Sequence, residues 1–290
     1  MTALAAPYTL LRRDGEARIS HPEPSHRTMD RHLTAPVEVL PERRAGLLRP
    51  EAARLIAERN FAVVFQPVVR LADSRPVSHE ALLRLRPLPG GPSQPARQFV
   101  DAAQSWGLGM ALDEAVLDVA LASWPRAAAT PMSVNIGARS LGDPVFFARV
   151  LVRLGGEGAT VALEISGTRD ATDLPAMVAM VPALRSVGVR VVLDDFGADE
   201  VSLACIRQTR FDEVKLSGAV VGAAVASERG RRLLRALVRL ADATGARTVA
   251  KLIETVPQAR LMRELGVGHG QGWLFGAPVP MATDRRRRAA

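Results

Sequence analysis

Eight short apolar runs recur along this chain, and longer amphipathic stretches separate most of them. The runs are FAVVFQPVV, VSHEALL, MSVNI, TVALEIS, VRVVLDDF, DEVKLS, RTVAKLI and GQGWLF. Between them lie ALDEAVLDVALASW, DPVFFARVLVRL, DLPAMVAMVPALRSV, VSLACIRQ, RGRRLLRALVRLADAT and VPQARLMREL. Short continuous apolar runs bounded by Gly or Pro read as buried strands, and the intervening 3.6-residue periodicity reads as helices. Strand–helix alternation predicts an α/β fold with a mostly parallel sheet. Eight strands over residues 51–281 predict a TIM-like (β/α)8 barrel, with an open doubly wound sheet as the alternative. Only LADSRP joins the first two runs. That is too short for a helical crossover, so these two strands form a hairpin and one barrel strand runs antiparallel.

Residues 1–50 show no sustained period and read as a disordered leader. Residues 282–290 read as a basic tail. The net charge of +8 dissolves when it is located. The leader holds eight Arg against six acids and the DRRRR run carries +3, which leaves 8 − 2 − 3 = +3 for the body. That spread, with only 4% aromatic residues, argues against a nucleic-acid binder. No apolar run approaches about 18 residues, so no transmembrane segment is expected, and the cytoplasm is the expected compartment. The single cysteine, Cys205, rules out an intrachain disulfide and a cysteine-built zinc site. The five histidines (three in the leader, then His79 and His269) read as structural.

Polar residues embedded in the apolar runs carry the functional signal. They are Glu80, Asn135, Glu164, the pair Asp194–Asp195, Lys215, Lys251 and Gln271. Buried charges must neutralise one another or meet a cation. The open face at the C-terminal strand ends of a barrel gathers such groups. Carboxylates and an amide without histidine point to a hard cation, Mg²⁺ or Mn²⁺. Hard cations beside basic side chains point to metal-dependent phosphoester chemistry. Only two of the 38 basic residues are lysines, Lys215 and Lys251, and both fall in strand-like runs.

The motifs F-Q-P-V-V, H-E-A-L-L-R-L, S-V-N-I, A-L-E-I-S, V-L-D-D-F-G, F-D-E-V-K-L and G-Q-G-W-L-F-G-A-P-V-P occur in that order. With them, the chain resembles the EAL-domain phosphodiesterases of cyclic di-GMP over residues 51–281. The resemblance implies a barrel with one antiparallel strand. It implies Glu80, Asn135, Glu164 and Asp194 as ligands of a first metal, and Asp195 as a ligand associated with a second. It implies Glu80, Lys215 and Asp195 as catalytic, with Lys215 positioning water and phosphate. Gln66, Leu82, Arg84 and Gln271 would contact or support the dinucleotide. Family members often dimerise, so a homodimer or a protein partner is an expectation as well.

Three positions depart from the family pattern. Lys251 stands where the resemblance implies a second-metal glutamate, and Glu254 is a poor substitute because an extended strand turns it the other way. Gly167 replaces a loop-organising glutamate, which predicts a loosely held loop over residues 194–199. Asp199 replaces a glycine in that loop. An ammonium and a divalent cation in one pocket repel by about 4 kcal/mol per unit-charge pair at 4 Å, so Lys251 is expected to displace the second metal and pair with Asp195. The sequence therefore reads as a partly degenerate EAL domain in cyclic di-GMP signalling that binds the nucleotide with weak or no hydrolysis and keeps one metal, the second being doubtful. The alternatives are an active phosphodiesterase yielding linear pGpG and an interaction module that does not bind nucleotide.

Overall fold

A computed structural model describes residues 45–85, 94–125, 128–155, 160–168 and 174–281. Most of the expected leader and all of the expected tail lie outside these residues. Helix α1 (Ala45–Ala57) begins within the last residues of the stretch read as leader.

The sheet holds strands β1 (Phe61–Arg70), β2 (Pro76–Leu85), β3 (Gln94–Pro95), β4 (Met132–Gly137), β5 (Val161–Ser166), β6 (Arg190–Phe196), β7 (Glu213–Leu216), β8 (Arg247–Ala250) and β9 (His269–Gln271). Their order is β1-β9-β8-β7-β6-β5-β4-β2-β3, and β1 also pairs with β2. The second pairing closes eight strands into a barrel, leaving the two-residue β3 as an addition beside β2. Strand β1 is antiparallel to both neighbours, whereas the other pairings around the ring are parallel. The hairpin expected from the LADSRP connection is present, because six residues suffice for antiparallel return only.

Helices α2 (Arg97–Ser105), α3 (Gly109–Ser123), α4 (Ala138–Leu141), α5 (Pro144–Leu154), α6 (Leu174–Ser186), α7 (Glu200–Gln208), α8 (Gly218–Ala226), α9 (Glu228–Ala243) and α10 (Val256–Glu264) complete the described elements. Local chemistry sets their ends. Asp143, Asp199, Ser217, Ser227 and Thr255 each cap a helix through the side-chain oxygen, satisfying backbone N–H groups that the first turn leaves unpaired. The sequence reading missed α1, α2, the short α4 and α8. Gly218–Ala226 is apolar on all sides, so it has no periodic stripe to betray a helix.

Strand alternation divides the apolar residues into two populations. Val134, Ile136, Leu163, Ile165, Val191, Leu193, Val214 and Leu216 face outward and join the helices in one continuous core. The opposite faces hold Val64, Val68, Ala162, Val192 and Val249, buried inside the barrel, together with the polar residues singled out above. Two expected strands are shorter than their apolar runs. Strand β8 ends at Ala250, because Leu252 takes a left-handed φ of 60° and turns the chain. Strand β9 ends at Gln271, where Gly272 lets two backbones meet; a Cβ there would lie 2.0 Å from the Ile253 carbonyl oxygen. No helix among the described residues is long and apolar enough to cross a membrane.

The α8–α9 junction offers a contrast in packing. A Cβ on Gly230 would fall 2.0 Å from the Ala223 carbonyl oxygen, whereas one on Gly222 would meet nothing within 4 Å. Gly222→Ala is expected to stabilise the chain by about 0.5–1 kcal/mol through helix propensity. Gly230→Ala is expected to cost at least about 2 kcal/mol through overpacking. Urea midpoints of the two variants check both signs.

Candidate functional site

Polar side chains from six strands meet inside the barrel. In the register, Gln66 stands opposite Glu80 and Asn135 opposite Glu164. Lys215 is 1% exposed, and its ammonium lies 2.7 Å from Glu80 Oε2 and 2.5 Å from Glu164 Oε2. Asn135 Nδ2 donates to Glu80 Oε1 at 2.8 Å, and Gln271 Nε2 donates to Glu80 Oε2 at 2.7 Å. Gln271 Nε2 also donates to Gln66 Oε1, and Gln66 Nε2 donates to the Gly276 carbonyl, each at 3.1 Å. Ser133, which sequence reasoning missed, donates its hydroxyl to Glu164 Oε2 at 3.2 Å. Its position two residues before Asn135 on one strand face was the available signal.

One buried ammonium between two buried carboxylates polarises them differently. Burial pushes Glu80 up, but the Lys215 charge and hydrogen bonds from Lys215, Gln271 and Asn135 outweigh it and hold its pKa at about 2. Burial and the neighbouring Glu80 charge push Glu164 well above the ordinary glutamate value against the pull of Lys215. Burial lowers Lys215, but Glu164, Glu80 and Asp194 overcome it and raise its pKa. Glu164 Oε1 is buried with no hydrogen-bond partner, and a bare carboxylate oxygen there suits a cation. As the side chains stand, no three His, Cys, Asp or Glu among the described residues are gathered to hold an ion, because lysines lie between the carboxylates.

The second lysine lies at the mouth. Lys251 is the first residue past β8, outside the strand in which the apolar run placed it. Its Nζ lies 2.6 Å from Asp194 Oδ1 and 2.6 Å from Asp195 Oδ1. The expected pairing with Asp195 is present, and Asp194 shares it. Adjacent residues of a regular strand face opposite ways. Here the β6–β7 register slips between Leu193 and Phe196, and Asp195 has a left-handed φ of 49°. This bulge turns both carboxylates toward one ammonium. Burial opposes the charge of Lys251, but Asp194 and Asp195 outweigh it and raise its pKa. Glu254 is exposed and away from this knot, its N–H bonded to Gln258 Oε1.

The remaining predicted positions divide in two. Leu82 and Arg84 follow Glu80 on the same face of β2, toward its C-terminal end, and Arg84 Nη1 donates to the Leu83 carbonyl at 2.9 Å. Gly167 has a left-handed φ of 65° at the end of β5. Asp199 is the N-cap of α7, accepting from Ser202 N at 2.7 Å. Ser202 Oγ donates to the Asp199 carbonyl and accepts from Gly197 N, while Ala198 N bonds the Asp195 carbonyl. The 194–199 segment, expected to be loosely held, is thus closed by a helix cap and local hydrogen bonds. Asp199 has a structural reason to replace glycine.

The model of the EAL domain matches residues 49–278. The chain belongs to the EAL domain family. An uncharacterised Mycobacterium tuberculosis protein is 35% identical over 235 residues, covering 76% of each chain. The cyclic di-GMP phosphodiesterase NbdA of Pseudomonas aeruginosa is 30% identical over 247 residues, which is 81% of this chain but only 31% of NbdA. Among solved structures, the FimX EAL domain of Xanthomonas citri in complex with c-diGMP superposes with a TM-score of 0.71 at 20% identity, covering 83% of this chain and 96% of that one. The PaMucR phosphodiesterase–c-di-GMP complex gives 0.69 at 24% identity, covering 81% and 98%. Both place this chain in the TIM-like barrel fold.

Asp113, also missed from sequence, supports the β4 end of the site. Its Oδ2 accepts from Gly137 N at 3.0 Å, two residues beyond Asn135. Burial raises its pKa from 3.8 to about 6, against hydrogen bonds from Ser140 and Gly137. A carboxyl raised on folding is a liability as pH climbs, because the unfolded chain ionises first. Asp113→Asn should therefore match the parent near pH 4 and gain relative stability up to about pH 6, levelling off at about 1–3 kcal/mol. Denaturant titrations at pH 4, 5, 6 and 7 check this.

Proposed function

We propose that this EAL domain binds cyclic di-GMP and hydrolyses it weakly or not at all. The observation that carries the reading is the Lys251 ammonium held 2.6 Å from both Asp194 and Asp195. Lys215 with Glu80 and Glu164 inside the barrel and Lys251 with Asp194 and Asp195 at its mouth together carry −4 + 2 = −2 when all are ionised. One divalent ion neutralises that charge and two would overshoot it. Glu80, Asn135, Glu164 and Asp194 are the groups that would hold a single Mg²⁺ or Mn²⁺, and the bare Glu164 Oε1 favours it there. When bound, the ion supplies Lewis acidity at a phosphoryl oxygen and acidifies a water.

The chain's own groups define the rest. Lys215 holds Glu80 ionised and in place. Gln271 and Gln66 brace the other side of Glu80. Arg84 and Leu82, higher on the same strand face, are suited to a guanine base and a phosphate. Lys251 offsets phosphate charge, but an ammonium cannot acidify a water as a metal does. Asp195, the catalytic carboxylate of the resemblance, is engaged by Lys251 and less able to orient a nucleophile. Binding survives this arrangement better than hydrolysis does. A second reading, a slow one-metal phosphodiesterase, is favoured by the complete first-metal set.

Equilibrium dialysis with cyclic di-GMP and Mn²⁺, followed by chromatography for pGpG, tests both readings. The parent chain should retain uncleaved nucleotide and bind one Mn²⁺. Product that vanishes in Glu80→Gln would establish the enzyme instead. Lys251→Glu should raise Mn²⁺ stoichiometry from one to two and turnover at least about tenfold; an unchanged stoichiometry would sink the role given to Lys251. Arg84→Ala should abolish nucleotide retention, and indifference to that change would favour an interaction module.

A further inference from the structure

Of the three tryptophans, Trp124 is buried against Phe65 and His79 and Trp106 is partly buried, whereas Trp273 is 65% exposed. An indole that exposed forgoes the burial that ordinarily holds tryptophan in a fold, and aromatic rings left in this way mark recognition surfaces. Its location is defined at both ends. Gln271, two residues earlier, directs its amide onto Glu80, and the Gly276 carbonyl, three residues later, accepts from Gln66. The segment 271–276 is thus anchored to the site at both ends, and Trp273 projects from its turn.

The chain around Leu252 runs alongside this turn. Ile253 N bonds the Gln271 carbonyl at 3.0 Å, and Leu274 N bonds the Ile253 carbonyl at 3.1 Å. These bonds lay residues 252–253 against 272–274. Leu252 is 61% exposed and directly follows Lys251. Its left-handed φ of 60° is costly for a branched side chain, and such outliers persist where the surroundings demand them. The Leu252 side chain leans the other way, toward the start of α8, where a Cβ on Gly218 would lie 2.7 Å from its Cδ1, so the rim over β9 presents the Trp273 indole on a turn whose backbone is bonded to Ile253, two residues past Lys251. An exposed indole on a turn fixed at both ends to the polar cluster suits the base of a nucleotide whose phosphates reach into the barrel mouth.

We infer that Trp273 is the platform on which one purine base of the bound dinucleotide stacks. This rests on the proposed binding of cyclic di-GMP and assigns that site a residue outside the set read from sequence. A stacking ring contributes through its π-face, so aromatic replacements should preserve it and aliphatic ones should not.

The test uses the full chain, Mn²⁺ and cyclic di-GMP. Titration of the parent should quench its tryptophan emission, and Trp273→Phe should lose that quenching while binding within about threefold of the parent by dialysis. Trp273→Ala and Trp273→Leu should bind at least about fivefold more weakly with unchanged urea midpoints. Parent-like affinity in Trp273→Ala, or quenching that persists in Trp273→Phe, overturns the inference and leaves nucleotide binding standing. Failure of the parent to bind overturns both.

Discussion

One ammonium group inside the barrel organises everything around it. Lys215 is fully enclosed and sits between Glu80 and Glu164. Without it, two buried carboxylates would face each other in a medium that screens poorly, and breaking a buried pair costs about 3–5 kcal/mol. With it, Glu80 becomes the hub on which Asn135, Gln271 and, through Gln271, Gln66 converge. Strands β1, β2, β4, β5, β7 and β9 are thereby tied through their polar interior faces, independently of the apolar layer beneath the helices.

The second lysine works differently because its place in the chain is different. Lys251 lies past the end of β8, at the mouth, and its partners are adjacent residues that a regular strand could not have turned to the same side. The slip in register after Leu193 and the left-handed backbone at Asp195 make the three-group knot possible. Strain at Asp195 and Leu252 is balanced by two short charge-assisted hydrogen bonds, which are stronger than neutral ones. The same knot holds both carboxylates of the Asp194–Asp195 pair against one ammonium.

Much of the architecture was legible because its signals are local. The β/α alternation, the hairpin and the helices with an apolar stripe are written in period and in loop length. Helix α8 was missed because it lacks a polar face, and β8 and β9 were drawn too long because apolar residues continue past the last ladder bond. Asp199 illustrates the same limit. As a letter it departs from a glycine in the loop motif, and in space it caps a helix that needs an acceptor at that point. Ser133 and Asp113 were overlooked because neither stands out in a strand-like apolar run as a charged residue; each matters through hydrogen bonds to groups far away in sequence.

The amino-acid order alone determined which residue types lie inside the barrel and in what sequence the strands bring them there, since alternation and spacing are one-dimensional properties. It also determined that a lysine stands at position 251. Which carboxylate each lysine would meet was decided only in three dimensions. Lys215 takes Glu80 and Glu164, which are 135 and 51 residues away along the chain, because barrel closure brings β2, β5 and β7 to a common axis. Lys251 takes Asp194 and Asp195 together because a bulge, invisible in the letters, turns the two side chains toward one point. Charge pairing depends on distances of a few ångströms, and those distances are set by closure and local backbone geometry.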